Sequence, residues 1–465
     1  MIDQSTICAV STATGHGAIA IIRLSGEQAL KICDKVFQAK SKKLLSDQKP
    51  NTVHFGNLMD GEEIVDEVLV TVFKAPYSYT GENSAEIACH GAPYIQQRIL
   101  QVLLKAGARM AKPGEYTQRA FLNGKMDLSQ AEAVADLIAS SSASAHKVAL
   151  QQMRGGFSNE IANLRGRLLH FISMIELELD FGEEDVEFAD RTQLQALVTE
   201  IETIINKLVN SFELGNAIKN GVPVAIVGNT NVGKSTLLNA LLKEDKAIVS
   251  EIEGTTRDVI EDTINLGGVT FRFIDTAGIR TTLDKIENMG IERTFQKMRQ
   301  AQIVMLLIDA NRSVDILNES IAKVNDTINR DHQKLIVCMN KVDLCDDTKA
   351  LAKQLVGLNE GDKLMFISAK EQENTDELAT ELLKVVNMDT LNEQDVIVTN
   401  ARHFEALNSA LGSIVRVNDG LTNQIPTDFL AQDIRECLHF LGEITGDISS
   451  DEVLGNIFKS FCIGK

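Results

Sequence analysis

Tryptophan is absent from this 465-residue chain, proline occurs only 6 times, and aromatic residues make up 5% of it. That shortage disfavours aromatic-rich β-sandwich cores and proline-rich binding segments, leaving aliphatic, helix-rich cores as the expectation. The 7 cysteines (8, 33, 89, 338, 345, 437 and 462) are odd in number and never spaced C-x-x-C. Such scatter speaks against a disulfide framework or a zinc site and fits a reducing compartment. No basic n-region with an apolar h-region opens the chain, and the first 22 residues lack arginine, unlike a transit peptide. No apolar run approaches the ~18 residues of a membrane span. A cytoplasmic protein without membrane attachment is therefore expected. Basic excess is missing too: the net charge is −19, which argues against unassisted binding of a polyanion. Residues 1–119 are near neutral, with 13 Lys and Arg against 12 Asp and Glu, and the acid lies downstream, as in ELELDFGEEDVEFAD (176–190). A nucleic-acid substrate would have to be held by a basic partner or a local patch.

What is present divides the chain into four stretches. Residues 1–119 mix β-like runs (IAIIRL at 19–24, EEIVDEVLVTVF at 62–73) with helical ones such as PYIQQRILQVLLKAG (93–107), a small α+β domain. Over 120–219 the pattern is helical. Ser129-x-x-Glu132 reads as a capping box, and Ile161, Leu164, Leu168, Phe171 and Ile175 step by three and four along one helix face. From VPVAIVGN (222–229) to about residue 388, β-like runs alternate with helices: VTFRFIDT (269–276), IVMLLIDA (303–310), KLIVCMN (334–340) and KLMFISA (363–369). That alternation predicts βαβ units around a mainly parallel sheet. Residues 389–465 are helical again, with stripes at Phe404, Leu407, Leu411 and Ile414 and at Leu430, Ile434, Leu438 and Leu441. The expected architecture is multidomain, α/β and all-α. An N-terminal α+β domain precedes a helical domain that is interrupted by an inserted α/β domain, its two helical flanks packing together.

The inserted stretch carries the chemistry. GNTNVGKS (228–235) matches G-x-x-x-x-G-K-[ST] between a strand-like and a helical run, the context a P-loop needs. Glycines let the loop's N–H groups (Asn231, Val232, Gly233) face phosphate oxygens, and Lys234 is suited to the β- and γ-phosphates. Ser235 is suited to Mg²⁺, with Thr236 beside it. DTAG (Asp275, Thr276, Ala277, Gly278) ends a strand where a γ-phosphate sensor belongs. NKVD supplies Asn340, Lys341 and Asp343, whose carboxylate can accept from guanine N1–H and the 2-amino group. Ser368, Ala369 and Lys370 form SAK, whose backbone can reach guanine O6. Each motif is weak alone; in this order, each at a strand end, they specify a Ras-like GTP-binding domain. The switch segment is SEIEGTTRD (Ser250, Glu251, Ile252, Glu253, Gly254, Thr255, Thr256 and on to Asp258). Thr256 is the first choice for a second Mg²⁺ hydroxyl and Thr255 the alternative. Ile279 stands directly after DTAG, where Ras-like enzymes carry a water-orienting Gln. Charge stabilisation could then come from a monovalent cation at Asn231 completed by carbonyls of 250–255, or from Arg257.

Beyond the nucleotide motifs, STATGHGAIAIIRLSG (11–26), YTGENSAEIACHGAP (79–93), KPGEYTQRAFLNGKMDLSQAEAVADLI (112–138), EIEGTTRD, DTAGIR and the terminal FCIGK resemble the MnmE (TrmE) family of tRNA-modification GTPases along essentially the whole chain. The resemblance implies a homodimer formed by the N-terminal domain, which binds a folate one-carbon donor (5-formyl- or methylene-tetrahydrofolate). Its contacts fall on Arg23, Glu86, Lys125 and Lys465. It implies K⁺-activated hydrolysis, with K⁺ at Asn231, Ser250, Ile252 and Thr255 and a water-orienting glutamate at Glu287. It also implies addition of an aminomethyl or carboxymethylaminomethyl group to C5 of the wobble uridine in certain tRNAs. A partner subunit carrying FAD would share that reaction in a heterotetramer and hold most of the tRNA.

A ribosome-assembly or scaffold GTPase would share the nucleotide motifs. The first needs a basic RNA-binding module that this chain lacks, and the second leaves the N-terminal blocks unexplained. The FCIGK tail places Cys462 as in a C-a-a-X lipidation signal, but Lys465 is an unusual last residue and no polybasic run precedes it. SSDEVLGNIFKSFC instead reads as a capped final helix with Val453, Leu454, Ile457, Phe458 and Phe461 on its apolar side. Cys462 at its end is a candidate catalytic thiol, with Lys465 as the nearest cation.

Overall fold

The computed structural model describes residues 5–180, 191–244, 262–274, 298–330, 333–345, 347–385, 396–448, 451–459, 461 and 464. They fall into two compact units, one of residues 1–139, 149–202 and 409–465 and the other of 140–148 and 203–408.

In the first unit a seven-stranded sheet is ordered β3-β4-β5-β6-β2-β1-β7. Its strands are β1 (Ile7–Val10), β2 (Ile19–Ser25), β3 (Phe37–Ala39), β4 (Thr52–Asp60), β5 (Glu63–Phe73), β6 (Ser84–His90) and β7 (Arg109–Met110). All neighbours are antiparallel except β1 and β7. Alternation decides the faces. Ile22, Leu24, Val68, Val70, Val72 and Ile87 point into a core shared with Ile32, Val36, Ile99, Val102 and Leu103 from helices Ala29–Val36 and Pro93–Ala106. The intervening residues, Arg23 and Glu86 among them, lie on the opposite face.

The helical part of this unit follows the sequence stripes. Ile161, Leu164, Leu168, Phe171 and Ile175 are all buried along helix Gly156–Asp180, which packs along helix Thr427–Thr445 through a face holding Leu430, Ile434, Leu438 and Leu441. One expectation is corrected. Helix Leu128–Ala139 begins before Ser129, so Ser129 does not cap it. Asp127 and Gln130 form the reciprocal box instead: the Gln130 N–H donates to Asp127 Oδ1 and the Asp127 N–H to Gln130 Oε1, each at 2.9 Å. Ser129 donates to Asp127 Oδ1 at 2.8 Å and pairs with Ser158 inside the packing. The final helix, Asp451–Lys459, buries Leu454 and Phe458 against Leu128 and Ala131, with Phe121, Ile457 and Phe461 at the margin. Beyond it, the Ser11 hydroxyl donates to the Gly464 carbonyl at 3.0 Å.

The second unit is built on a six-stranded sheet ordered β13-β12-β11-β8-β10-β9: β8 (Val222–Val227), β9 (Asp262–Leu266), β10 (Val269–Phe273), β11 (Ile303–Asp309), β12 (Lys334–Asn340) and β13 (Lys363–Ile367). Only the edge strand β9 runs antiparallel to its neighbour. Residues 303–308 of β11 are all buried, because apolar clusters cover both faces of the sheet. Continuous apolar runs are what a doubly covered parallel sheet requires.

Candidate functional site

In the second unit the motifs converge on the carboxyl ends of the parallel strands, the edge where open α/β sheets bind ligands. Residues 228–233 join β8 to helix Lys234–Glu244. Gly228 has φ +152°, and a Cβ there would stand 2.2 Å from the Leu307 carbonyl. Gly233 has φ +99°, and its Cβ would meet Asn340 Nδ2 at 2.4 Å. Both positions therefore need glycine, on conformation and on space. Asn231 is exposed with φ +63°, Val232 is buried, and Ser235 and Thr236 are exposed on the first helical turn. Lys234 folds over the loop and donates to the carbonyls of Gly228 at 2.6 Å and Asn229 at 3.0 Å. Burial pulls its pKa below the usual lysine range.

Asn340, at the end of β12, is 2% exposed and ties three motifs together. Its Nδ2 donates to the Val232 carbonyl at 2.7 Å, and its Oδ1 accepts from the Ala369 N–H at 2.9 Å. Ser368, fully buried, donates to Asp343 Oδ1 at 2.6 Å, which aims the exposed Asp343 carboxylate. Lys370 is exposed and paired with Glu371 at 2.9 Å. Lys341 has φ +65° and its Nζ meets Asp309 Oδ2 at 2.7 Å. The arrangement offers a glycine cradle with a helix start and a lysine for phosphate, an exposed serine hydroxyl for a divalent cation, and an aimed carboxylate for a base edge. The exposed Ser235 hydroxyl at the helix start, beside a lysine already folded over the loop, fits a nucleotide phosphate with Mg²⁺. Ser250, Glu251, Ile252, Glu253, Gly254, Thr255, Thr256, Arg257, Asp275, Thr276, Ala277, Gly278, Ile279 and Glu287 lie outside the described residues.

In the first unit, Arg23 on β2 stands opposite Glu86 on β6, and the two side chains form an ion pair at 2.8 Å. The Arg23 guanidinium lies 5.4 Å from the Tyr79 ring centroid and 5.7 Å from that of Tyr116, within cation–π range. Tyr116 also donates its hydroxyl to the Arg23 carbonyl at 2.7 Å, and Tyr79 shares a 2.9 Å hydrogen bond with Thr117. Burial raises the pKa of both tyrosines, in Tyr79 against the opposing pull of Thr117 and Arg23. Lys125 donates to the Pro76 carbonyl at 3.0 Å, on the loop that leads to Tyr79. Sequence reasoning did not single out Tyr79 and Tyr116; a tyrosine beneath an arginine has no spacing that separates it from an ordinary core tyrosine. Cys462 and Lys465 lie outside the described residues.

Two family models match the chain: the MnmE helical domain over residues 128–462 and the GTP-binding protein TrmE N-terminus over 6–125. A tRNA modification GTPase MnmE from Bacteroides thetaiotaomicron is 60% identical across the whole of both chains. Another from Parabacteroides distasonis is 55% identical over 99% of this chain and all of its own. A solved structure of an Era variant from Aquifex aeolicus with GDP and AlF4⁻ matches 41% of this chain and 66% of its own, at 26% identity and a TM-score of 0.26, too loose a likeness to bear on the fold.

Proposed function

Since this chain belongs to the MnmE family of tRNA-modification GTPases, we propose that it hydrolyses GTP in a K⁺-dependent cycle that supports modification of the wobble uridine of certain tRNAs at C5. The group added is aminomethyl or carboxymethylaminomethyl, its carbon drawn from a folate donor, 5-formyl- or methylene-tetrahydrofolate. A homodimer of the chain works in the cytoplasm with a partner subunit that carries FAD and most of the tRNA contact. The observation that carries this reading is identity of 60% along the full length of a relative named a tRNA modification GTPase.

At the nucleotide, Gly233 and the N–H groups of residues 231–236 receive the phosphates, Lys234 leaves its loop carbonyls for the β- and γ-oxygens, and Asp343 accepts from guanine. Ser235 and Thr256 hold Mg²⁺, which when bound neutralises phosphate charge. Asn231 with Ser250, Ile252 and Thr255 holds K⁺, in place of an arginine finger. Residues 275–278 sense the γ-phosphate, Ser368, Ala369 and Lys370 line the base, and Glu287 orients the attacking water. In the N-terminal domain, Glu86 pairs with the donor–acceptor edge of a pterin while Arg23, Lys125 and Lys465 meet anionic or carbonyl groups. Support comes from the Arg23–Glu86 pair and its tyrosine supports, which preset two of these groups at one place on the sheet face opposite the helices Ala29–Val36 and Pro93–Ala106. Cys462 is the candidate thiol for the uridine.

Hydrolysis measured in K⁺ and in Na⁺ tests the cycle. The rate is expected to collapse in Na⁺, and Glu287→Ala to abolish multiple turnover with GDP affinity nearly intact. Equal rates in both salts, or a large affinity loss in the variant, would refute those assignments.

A further inference from the structure

Lys341 occupies a left-handed conformation that is unfavourable for a non-glycine residue, so its neighbours must hold it there. They do so from the adjacent strand. The parallel register sets Asp309, the last residue of β11, opposite Asn340, the last of β12, and the Ala310 N–H donates to the Asn340 carbonyl at 2.9 Å. Asp309 Oδ2 takes the Lys341 ammonium at 2.7 Å. Asp309 Oδ1 accepts from both the N–H and the Nδ2 of Asn311, each at 3.1 Å, and Asn311 Nδ2 also reaches the Lys341 carbonyl at 3.2 Å. The side chain and the backbone of Lys341 are thus gripped by one carboxylate–amide unit, and the Asp309 side chain is only 14% exposed. Burial works to raise the Asp309 pKa, yet the bonds from Lys341 and Asn311 outweigh it and keep the group ionised at neutral pH.

We propose that Asp309 and Asn311 are positioning residues for base recognition: they preset the turn 341–343 before nucleotide arrives, so that Asp343 meets guanine without an ordering cost. Nothing in the P-loop or switch motifs assigns them this role. Preorganisation of this kind appears as affinity rather than as rate, because the grip contacts neither phosphate nor attacking water. The inference rests on Asp343 being the guanine acceptor, and the test separates the two.

The experiment compares GDP with inosine diphosphate, which lacks the 2-amino group, on the full-length chain and on Asp309→Asn, Asn311→Ala and Asp343→Asn. Asp309→Asn keeps shape and removes the charge on Lys341. It is expected to weaken GDP about tenfold, the scale of one charge-assisted hydrogen bond, to lower the preference for GDP over inosine diphosphate, and to leave kcat at saturating GTP unchanged. Asn311→Ala should follow in the same direction. Unchanged GDP affinity, or an equal loss for both nucleotides, would overturn the inference. If Asp343→Asn retains the preference for GDP, the guanine-acceptor reading fails; if Asp343→Asn abolishes it while Asp309→Asn leaves it at the wild-type value, only the positioning role fails.

Discussion

A carboxylate is useful to this protein where its hydrogen bonds are already arranged, and two of them can be tested one at a time. Asp343 is held by Ser368 at 2.6 Å with its remaining lone pairs open. Asp343→Asn replaces an acceptor by an amide donor facing the guanine donors, so GTP binding should weaken by about 2–3 kcal/mol, roughly 30–150-fold. Xanthosine triphosphate, whose 2-oxo group can accept from the new amide, should bind the variant better than GTP does; a variant that still prefers GTP would contradict the role. Glu115 has a purely structural task. It is 5% exposed and accepts from Arg109 at 2.6 and 2.8 Å, from Arg119 at 2.9 Å and from the Lys112 N–H at 2.9 Å. Burial pushes its pKa up, but these donors outweigh it and hold it below the ordinary value. A depressed carboxylate stabilises above its unfolded pKa and loses that contribution as pH falls through the folded one. Glu115→Gln should therefore cost about 3 kcal/mol at pH 7 by denaturant titration, with the gap to wild type closing below about pH 4. A gap constant down to pH 2.5 would contradict this. Residues of this kind are hard to read from sequence. Glu115, Arg109 and Arg119 look like solvated charges, and the Arg23–Glu86 pair spans 63 positions that only sheet register brings together.

Elements were far more legible than single contacts, because periodicity is a local signal. The runs at 19–24, 303–310 and 334–340 became β2, β11 and β12, and the stripe from Ile161 to Ile175 became a buried helix face. The capping error at Ser129 has a local cause: Asp127 and Gln130 form the same box pattern two residues earlier, and both readings fit the sequence. The tail is the element whose docking matters most. Its last turn packs Phe458 beside Phe121, with ring centroids 6.4 Å apart, and Gly464 lies against β1 with φ +96°. A Cβ on Gly464 would stand 2.2 Å from the Val10 carbonyl, so Gly464→Ala cannot keep this seat. The expected outcome is loss of tRNA modification with GTP hydrolysis unchanged. Full modification by that variant would show that the seat is dispensable.

For the molecule as a whole, composition set the class before any motif did. Absent tryptophan and scattered cysteines foretold aliphatic cores and free thiols, and the free cysteines among the described residues are buried except Cys345. Among the described residues no helix is long and apolar enough to cross a membrane. The order of motifs made the inserted α/β domain legible, and the N-terminal blocks and tail made the family legible. Composition did not reveal which surface meets tRNA, because a charge of −19 argues only against unassisted binding of a polyanion. The most direct measurement is nucleoside analysis of tRNA from cells lacking this chain, rescued with wild type, Lys234→Ala or Cys462→Ser. Without the chain the wobble uridine is expected to lose its C5 substituent, with full rescue by wild type and none by Lys234→Ala. Rescue by Cys462→Ser would remove the thiol from the mechanism. An unchanged nucleoside profile without the chain would show that it takes no part in this modification.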